Sequence, residues 1–342
     1  MSKNAKTGVF IVNLGTPDSP NTPDVRKYLR EFLMDGRVID IPFLQRWMLV
    51  NLIIAPFRSP KSAKIYKELW TEEGSPLKIY GEANEKQLQE LLGSKYIVKL
   101  GMRYQNPSIE KGLLELRKAG VKKIIVIPLF PQYASASTGS VYEEVSRVLS
   151  TWQSIPDLKI VSNFYHKEKF IKSFVENAAV LQKERKYDHV LFSYHGVPER
   201  QVLKGDDDGD CCQLGACCNK ITPKNQLCYR AQCFETTRLM ADAMGLKEGE
   251  YTLSFQSRLG RSEWVKPYTD HVVKELAEKG VKNILAFSPA FVADCLETTI
   301  EVADEFNELF IENGGEHLQL VPSLNDKESW VELLKELVLE ES

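Results

Sequence analysis

Side chains that can bind a metal ion or carry a proton gather in the second half of this 342-residue chain. His195 ends an apolar run and precedes Gly196, a position at which an imidazole can face an open cleft. Asp294, Glu297 and Glu301 follow a later apolar run, and the two glutamates, four residues apart, share one face if the segment is helical. An imidazole opposite a row of carboxylates suits proton removal or transient binding of a divalent metal ion. The alternatives are a solvated acidic helix face and a histidine that serves the core or a loop.

A cluster of cysteines is the second such group. Six of the seven cysteines fall in one segment, in the order Cys211-Cys212-x4-Cys217-Cys218-x9-Cys228-x4-Cys233. Four thiolates can hold a zinc ion, but the segment lacks the paired Cys-x2-Cys knuckles typical of zinc sites. Disulfides conflict with a reducing cytoplasm, whereas a [2Fe–2S] cluster takes four cysteines at irregular spacing. The pattern thus leaves a [2Fe–2S] cluster, zinc, disulfides and unliganded thiols as competing interpretations.

The overall charge and composition exclude several classes of protein. The chain has 44 Lys and Arg residues against 47 Asp and Glu, so it lacks the positive charge with which nucleic-acid-binding proteins neutralise phosphates. With 43% hydrophobic residues it is too apolar to be disordered, and no apolar run reaches the ~18 residues of a membrane span. The first residues lack the apolar core of a secretory signal, so we expect a cytoplasmic protein with no nucleic-acid partner. Its oligomeric state is not indicated by the sequence.

Short β-branched runs alternate with longer amphipathic segments, which is typical of parallel βα units. Eight such runs are nearly all apolar, as expected of strands with helices on both faces. They span residues 8–14, 96–101, 123–129, 158–162, 189–194, 251–255, 283–287 and 318–321. Helical spacing between the first strands is found at 83–92, 107–119, 141–149 and 167–182.

The two halves of the chain resemble each other. In the same order in both halves, 9–17 aligns with 190–198, 96–103 with 251–258, and 120–128 with 280–288. Three matches in register predict two domains of similar topology. The predicted fold class is α/β, with two Rossmann-like domains that each contain a four-stranded parallel sheet flanked by helices. We place them at residues 1–165 and 166–321, with a C-terminal helix in 322–342 that packs back on the body.

Two segments interrupt this pattern: residues 25–70, here called the lip segment, and the Cys-rich residues 205–228. The lip segment contains the apolar stretch 47–57, which is followed by Arg58 and Lys61. Such a stretch can be a buried helix, the mouth of a pocket for a flat apolar dianion, or a surface that rests on an anionic membrane. No turn in the chain carries Gly-x-Gly-x-x-Gly or Gly-Lys-Ser/Thr, so a nucleotide cofactor is disfavoured.

Six short motifs follow one another along the chain. They are Leu14-Gly-Thr-Pro17, Gly74-Ser-Pro-Leu77, Pro131-Gln-Tyr133, Ser193-Tyr-His-Gly-Val-Pro198, Phe255-Gln-Ser-Arg258 and Phe291-Val-Ala-Asp-Cys-Leu-Glu-Thr298. Together they resemble the ferrochelatase family, in its bacterial form with an internal Cys-rich insertion. The resemblance implies a lyase that inserts ferrous iron into a porphyrin, protoporphyrin IX being the expected one, to form haem with release of two protons. It also implies two Rossmann-like domains with the porphyrin in the cleft between them.

The resemblance implies roles for the acid and base residues. His195 would accept a pyrrole proton or contact the metal. Glu297, which together with His195 would bind the incoming Fe²⁺, would form an acidic path with Asp294 and Glu301. Cys295 departs from the family pattern, because many members have a histidine there, so a role that needs a second imidazole is not expected.

The resemblance also implies a porphyrin-binding set. The side chains that would meet the propionates, by guanidinium–carboxylate pairing or hydrogen bonding, are Arg58, Lys61, Ser75 and Arg103. The walls of the porphyrin slot would be formed by Leu14, Tyr104, Trp264 and Phe291. The stretch 47–57 would be an apolar lip that takes a poorly soluble porphyrin from a membrane, so a peripheral membrane contact is expected there.

Some ferrochelatases carry a [2Fe–2S] cluster with ligands in this internal region, so the resemblance favours that cluster over zinc, disulfides and unliganded thiols. Relatives without the insertion share the start of the helix that contains Cys233, so packing accounts for that cysteine. The expected cluster ligands are then Cys211, Cys217, Cys218 and Cys228, although no physical argument separates Cys211 from its neighbour Cys212. Two alternative functions stay open at this point. One is a chelatase that inserts cobalt or nickel into another tetrapyrrole, and the other is a non-catalytic porphyrin or iron sensor.

Overall fold

A computed structural model describes residues 6–260 and 262–342. These residues form two compact units. The first comprises the described residues up to Phe130, together with Ser135–Asn163 and Asp326–Ser342. The second comprises Pro131–Ala134 and the described part of Phe164–Asn325. The chain therefore leaves the first unit and later returns to it.

The sheet of the first unit has four parallel strands. They are β1 (Thr7–Gly15), β2 (Tyr96–Tyr104), β3 (Lys123–Pro128) and β4 (Asp157–Ile160). They lie in the order β2-β1-β3-β4, and Phe10 of β1 pairs with Lys99 on one side and Val126 on the other. Residues 9–12 are fully buried, as expected of a central strand covered on both faces.

Helices cover this sheet and form the lip segment. They are α1 (Thr22–Met34), α2 (Phe43–Met48), α3 (Ala55–Leu69), α4 (Pro76–Leu92), α5 (Ile109–Lys118), α6 (Ser140–Leu149) and the C-terminal helix Glu328–Glu340. The π-helical segments Leu49–Ile54 and Ser135–Gly139 lead into α3 and α6. The helices predicted in this unit are confirmed, and α4 begins earlier than expected because Pro76 is favourable in a first helical turn.

The apolar stretch 47–57 is largely exposed. The exposed fractions are 41% for Trp47, 43% for Met48, 57% for Leu52 and Ile53, and 79% for Phe57. Val50 and Ala55 are its buried apolar members. The interpretation as a buried helix is therefore wrong. Among residues 6–260 and 262–342, no helix is both long and apolar enough to cross a membrane.

The sheet of the second unit repeats the arrangement of the first. Its strands are β5 (His189–His195), β6 (Tyr251–Gln256), β7 (Asn283–Phe287) and β8 (His317–Leu320). They are parallel and lie in the order β6-β5-β7-β8, with His195 beside Gln256 at the carboxyl edge. In both units the first strand along the chain is thus central, and the predicted fold class is confirmed.

The helices of the second unit pack around this sheet. They are α7 (Glu168–Glu184), α8 (Glu199–Leu203), α9 (Tyr229–Met244), α10 (Thr269–Glu278) and α11 (Phe306–Glu312). A π-helix, Glu297–Glu305, precedes α11, and a 3-10 turn, Ala216–Cys218, lies in the Cys-rich segment. Residues of α10, β7 and α11, among them Val273, Ile284 and Phe310, form one hydrophobic core.

Candidate active site

His195 is the last residue of β5, at the edge of the sheet where parallel α/β folds bind ligands. Its Nδ1 lies 2.6 Å from the carbonyl oxygen of Gly196. Because a carbonyl oxygen only accepts hydrogen bonds, Nδ1 carries the proton and Nε2 keeps its lone pair. Trp264 and Phe291, both half-buried, flank the imidazole with ring centroids 6.4 and 6.3 Å away. His195 is therefore a half-buried base whose basic nitrogen is defined.

Glu301 is held by two residues at the end of β6. Its Oε1 accepts the Ser257 N–H at 2.8 Å, and its Oε2 accepts the Ser257 hydroxyl and, at 3.2 Å, the Gln256 amide. Burial raises the pKa of Glu301, and the negative charge of Glu297 adds to this effect. The hydrogen bond from Ser257 and the nearby His195 act in the opposite direction on that pKa. Glu301 thus interacts with both His195 and Glu297, which brings three predicted residues together.

A buried chain of hydrogen bonds fixes the Gln256 amide. The Ser193 hydroxyl donates to Gln256 Oε1 at 2.6 Å, so the amide Nε2 points the other way. That Nε2 donates to the Glu297 carbonyl oxygen at 2.8 Å as well as to Glu301. Ser193 and Gln256 are buried, and Thr269 extends the chain of hydrogen bonds behind them. The acidic helix is therefore anchored to the sheet through one oriented amide.

Glu297 and Glu301 lie in the first turn of the nine-residue π-helix Glu297–Glu305. A helix is predicted here, and its π form is a rare geometry that is frequent at functional sites. Cys295 lies just before it and is buried. Burial raises the pKa of the Cys295 thiol well above its ordinary value, and the charge of Glu297 adds to this. Cys295 is thus a neutral thiol beside Glu297.

Asp294 has partners of its own. Its Oδ2 accepts the Asn325 side-chain amide at 2.7 Å, and its Oδ1 accepts the Ser323 N–H at 3.1 Å and the Thr298 hydroxyl at 3.3 Å. The Asn325 side chain in turn accepts the Asp294 N–H at 2.8 Å. These contacts tie the loop after β8 to the start of the π-helix, so Asp294 positions the two glutamates.

In the first unit, the end of β1 holds Ser75. Gly15 has a φ of +116°, and a Cβ there would lie 2.0 Å from the Tyr104 carbonyl oxygen, so only glycine fits. The Thr16 hydroxyl then donates to Ser75 Oγ at 2.9 Å, with both residues buried. Leu14 is half-buried and packs against apolar side chains of the lip segment.

Arg103 and Tyr104 meet the buried carboxylate of Asp35. Arg103 Nη2 lies 2.8 Å from Asp35 Oδ2, and Arg103 Nε donates to the Ser140 hydroxyl at 2.6 Å. Tyr104 is fully buried, donates to the same Asp35 oxygen at 2.8 Å and lies under the Arg103 guanidinium. Burial alone would raise the pKa of Asp35, but the surrounding hydrogen bonds, that of Ser140 foremost, and the Arg103 charge hold it below its ordinary value.

Arg58 and Lys61 are exposed and lie one turn apart on α3. Neither forms an ion pair within the part of the chain that the structure describes. Phe57, the most exposed large apolar residue of the lip segment, directly precedes Arg58. Two cations that can receive an anion therefore adjoin an apolar surface.

Five cysteine side chains line one cavity of about 20 Å³ in the Cys-rich segment. They are Cys211, Cys212, Cys217, Cys218 and Cys228. The sulfurs of Cys217 and Cys218 are 3.9 Å apart. The Asp206 carboxylate accepts the N–H groups of Cys211 and Cys212 at 2.9 and 2.7 Å, which holds the loop over the cavity. All seven cysteines are free thiols. We call this cavity the cysteine pocket.

The thiols of the cysteine pocket interact with one another. The Cys218 thiol donates to the Cys228 sulfur, which raises the pKa of Cys218 and lowers that of Cys228. Cys212 interacts electrostatically with Cys217, Cys218 and Cys228, whereas Cys211 interacts with Cys217. In the described residues no three His, Cys, Asp or Glu side chains are already arranged as a metal-binding group. The donor set itself, soft thiols around one cavity, fits a thiolate-bound metal centre.

Comparison with known proteins decides the family. A family model described as Ferrochelatase matches residues 6–342. The chain belongs to the ferrochelatase family. The ferrochelatase of Coxiella burnetii (strain Dugway 5J108-111) is 43% identical over 342 residues, covering 98% of this chain and 94% of the relative. That of Legionella pneumophila (strain Lens) is 44% identical over 337 residues, covering 98% and 99%.

The ferrochelatase assignment confirms the predicted activity. The chain is a lyase-class metal chelatase that inserts iron into a porphyrin to form haem, with ferrous iron as a substrate. Among solved structures, SirB from Bacillus subtilis with Fe³⁺ matches with a TM-score of 0.54 at 14% identity, covering 98% of this chain and 97% of that one. The SirB of Bacillus subtilis subspecies spizizenii in complex with cobalt matches at 0.51 and 13%, covering 98% and 94%. These two likenesses concern the fold alone.

Three residues of the site were not assigned from the sequence. Gln256 and Ser257 lie in the motif Phe255-Gln-Ser-Arg258, at the end of the strand beside β5. That position could have indicated that they lie near His195. Asp35 had no such signal, because Arg103 and Ser140, which it binds, are 68 and 105 residues away along the chain.

Proposed function

We propose that this chain inserts Fe²⁺ into protoporphyrin IX with His195 as the base and Glu297 and Glu301 as the acidic path for iron. The observation that carries the proposal is the lone pair on His195 Nε2, set by the bond from Nδ1 to Gly196. The electrostatic interaction of Glu301 with His195 and Glu297 supports a single site for base and acids. Asp294 contributes by holding the start of the π-helix.

Charge balance explains why a base is needed. A porphyrin gives up two N–H protons when Fe²⁺ binds its four nitrogens, so the metal centre formed carries no net charge. His195 Nε2 accepts these protons one at a time and releases them to water. The Glu301 carboxylate stabilises the imidazolium that forms in between. Fe²⁺ binds carboxylate and imidazole groups, so it reaches the ring nitrogens past Glu301 and Glu297.

We infer that the propionates bind Arg58 and Lys61, with Ser75 and Arg103 as further donors. Arg58 and Lys61 are exposed and form no ion pair in the described part of the chain, so each is available to a propionate. The remaining proposed contacts with the ring are the half-buried side chains of Leu14, Trp264 and Phe291. Tyr104, expected from the sequence as a wall of the slot, is fully buried and therefore supports Arg103 from behind instead of touching the ring.

Porphyrin fluorescence under anaerobic conditions tests this function. Wild-type protein with Fe²⁺ and protoporphyrin IX should quench the fluorescence as haem forms. His195→Ala should lose turnover while it still binds porphyrin, and His317→Ala, on β8, should behave as wild type. Turnover by His195→Ala would remove the histidine from the mechanism. Faster turnover with coproporphyrin, or with Co²⁺ or Ni²⁺, would assign a different substrate.

We also propose a [2Fe–2S] cluster in the cysteine pocket. Five thiols at one cavity and their irregular spacing support it, because such a cluster takes four cysteine thiolates. Cys217, Cys218 and Cys228 are three ligands. The fourth is Cys211, the residue expected from the sequence, or its neighbour Cys212, since both line the pocket. A bound cluster would supply reversible one-electron chemistry, and the proton transfers at His195 do not depend on it.

Iron and acid-labile sulfide in anaerobically purified protein, together with visible absorption, test the cluster. Cys228→Ala should lose both elements, whereas Cys233→Ala, outside the pocket lining, should keep them. Comparison of Cys211→Ala with Cys212→Ala identifies the fourth ligand. A colourless wild type that contains zinc would replace the cluster by a zinc site, and one with no metal would leave free thiols.

We propose further that the protein is cytoplasmic and that the stretch 47–57 rests on an anionic membrane. Exposed apolar side chains followed by Arg58 and Lys61 support the contact, because this combination binds lipid interfaces. Seven free thiols fit a reducing compartment. Leu52→Asp should reduce co-sedimentation with vesicles that contain anionic lipid. Val180→Asp, at a comparably exposed position on α7, should not, and equal binding by both variants would count against the contact.

A further inference from the structure

The first turn of α9 contacts both the cysteine pocket and the active site. Cys228 immediately precedes the helix and lines the pocket. The Tyr229 hydroxyl donates to the His195 carbonyl oxygen at 2.7 Å. Arg230 Nη2 donates to the Lys266 carbonyl oxygen at 3.3 Å, in the loop that leads to α10. Three consecutive residues therefore join the two sites.

Arg230 is a buried cation without a carboxylate partner. It is 8% exposed and forms no ion pair within residues 6–260 and 262–342. Its guanidinium contacts the carbonyl oxygens of Gly215 and Lys266 at 3.4 and 3.3 Å, the Phe234 ring at 4.5 Å, and the Cys218 sulfur. A buried charge without a counter-ion is strongly unfavourable, so a negative group is needed beside it.

Thiolates of the cysteine pocket are the negative groups at hand. Gly215 directly precedes the 3-10 turn Ala216–Cys218, and Cys218 lines the pocket. A metal centre held by four thiolates carries net negative charge, because metal binding displaces the thiol protons. Arg238, two turns further along α9, has the ordinary arrangement of an exposed arginine, since it pairs with Glu235 and Asp242.

We propose that Arg230 is the counter-ion of a thiolate-bound metal centre in the cysteine pocket and a positioning residue for the active site. The proposal rests on the cluster proposed above. With the centre bound, Arg230 stays at the pocket wall and holds the Lys266 carbonyl, while Tyr229 holds that of His195. Without the centre, the guanidinium turns to solvent and releases the loop that carries Trp264, the aromatic neighbour of the His195 imidazole.

Release of iron from the reconstituted full-length chain tests the counter-ion. Arg230→Gln removes the charge, Arg230→Lys keeps it, and Arg238→Gln is a matched substitution on the exposed face of the same helix. We expect Arg230→Gln to lose its visible absorption to an iron chelator about tenfold faster, as for the loss of one charge-assisted hydrogen bond. Its reduction potential should also fall, because the cation no longer stabilises the more negative reduced centre. The other two variants should match wild type.

Hydrogen exchange in peptides covering residues 262–268 tests the coupling to the active site. Exchange should be faster in metal-free wild type and in Arg230→Gln than in loaded wild type. The wild-type comparison needs no substitution, so it decides the coupling even if Arg230→Gln fails to fold. Equal exchange with and without metal overturns it.

The outcomes separate this proposal from those on which it rests. A wild type that holds neither iron with sulfide nor zinc overturns the cluster and the counter-ion together, while porphyrin turnover still reports on the chelatase reaction. A loaded Arg230→Gln with wild-type iron release and potential overturns the counter-ion and leaves the cluster standing.

Discussion

Replacing Gln256 by glutamate would place a third carboxylate beside the acidic pair. The amide nitrogen that donates to Glu301 at 3.2 Å would become an oxygen. Two unit charges at that distance repel by about 5 kcal/mol at an effective dielectric constant of 20, equivalent to roughly three to four pKa units. The pair avoids this repulsion by keeping a proton, so we expect one proton to remain bound at neutral pH. Because that proton neutralises one of the two carboxylates, the net charge along the proposed Fe²⁺ path past Glu301 and Glu297 stays the same as in the wild type.

The assay measures kcat/KM for Fe²⁺ as a function of pH, with the loss of porphyrin fluorescence as the readout of turnover. The raised pKa of the coupled carboxylates keeps one of them protonated over a wider pH range. The acidic limb of the kcat/KM profile should therefore move to higher pH in Gln256→Glu, by about one unit or more. Gln256→Leu removes the oriented amide without adding charge. It should lower kcat/KM and move the limb less than Gln256→Glu does, because the only effect on the Glu301 pKa is the loss of one hydrogen bond that lowers it. Gln319→Glu, on β8, should change neither. A folded Gln256→Glu variant with the wild-type limb would refute the electrostatic argument.

Three further substitutions have matched controls. Asp35→Asn should lower the free energy of unfolding in urea by about 3 kcal/mol, because half-buried Arg103 loses its counter-ion and buried Tyr104 and Ser140 lose a charged acceptor. Asp242→Asn, at an exposed pair, should lower it by less than about 1 kcal/mol. Equal losses of unfolding free energy in the two variants would contradict the role of Asp35. Because the folded-state pKa of Asp35 is lowered, its stabilisation of the wild type is present above the pKa of the unfolded carboxyl and is lost as pH falls through the folded-state pKa. Gly15→Ala should lower the thermal unfolding temperature more than Gly74→Ala. Both glycines have a positive φ, +116° at Gly15 and +125° at Gly74, but only at Gly15 would the new Cβ meet a backbone atom. Similar unfolding temperatures for the two variants would contradict the steric argument. Glu301→Gln should lower kcat/KM for Fe²⁺ by at least about tenfold, whereas Glu305→Gln, in the same π-helix, should have no effect; equal activity of the two would exclude Glu301 from the iron path.

The strands and most helices could be predicted because their physical cause is local. A short, nearly all-apolar run between turn residues is typical of a buried strand in an α/β protein, and every predicted strand is present. The repeated strand order also follows from sequence, because three alignments in register describe one topology twice. His195 and Glu301 could be brought together for the same reason, since the carboxyl ends of parallel strands share one edge.

The rest depends on contacts that a local pattern does not encode. The apolar stretch 47–57 has the same composition whether it lies in a core or at the surface, so composition alone left both interpretations open, and only the family resemblance indicated an exposed lip. The π form of Glu297–Glu305 is a rare geometry, and no residue pattern in that segment indicates it. The contact of Arg103 with Asp35 could not be predicted either, because Asp35 lies 68 residues away along the chain, at the end of α1.

The path of the chain between its two units also bears on its synthesis. The C-terminal helix buries Trp330, Leu334 and Leu337 in the first unit, where it packs against α4. These side chains are made after the whole of the second unit, so the unit that is begun first is finished last. During translation the apolar face of α4 therefore stays exposed until the C-terminal helix has been synthesised. A chain that ends before Glu328 would therefore contain every residue of the second unit but an incomplete first core, which leaves apolar surface exposed to aggregation.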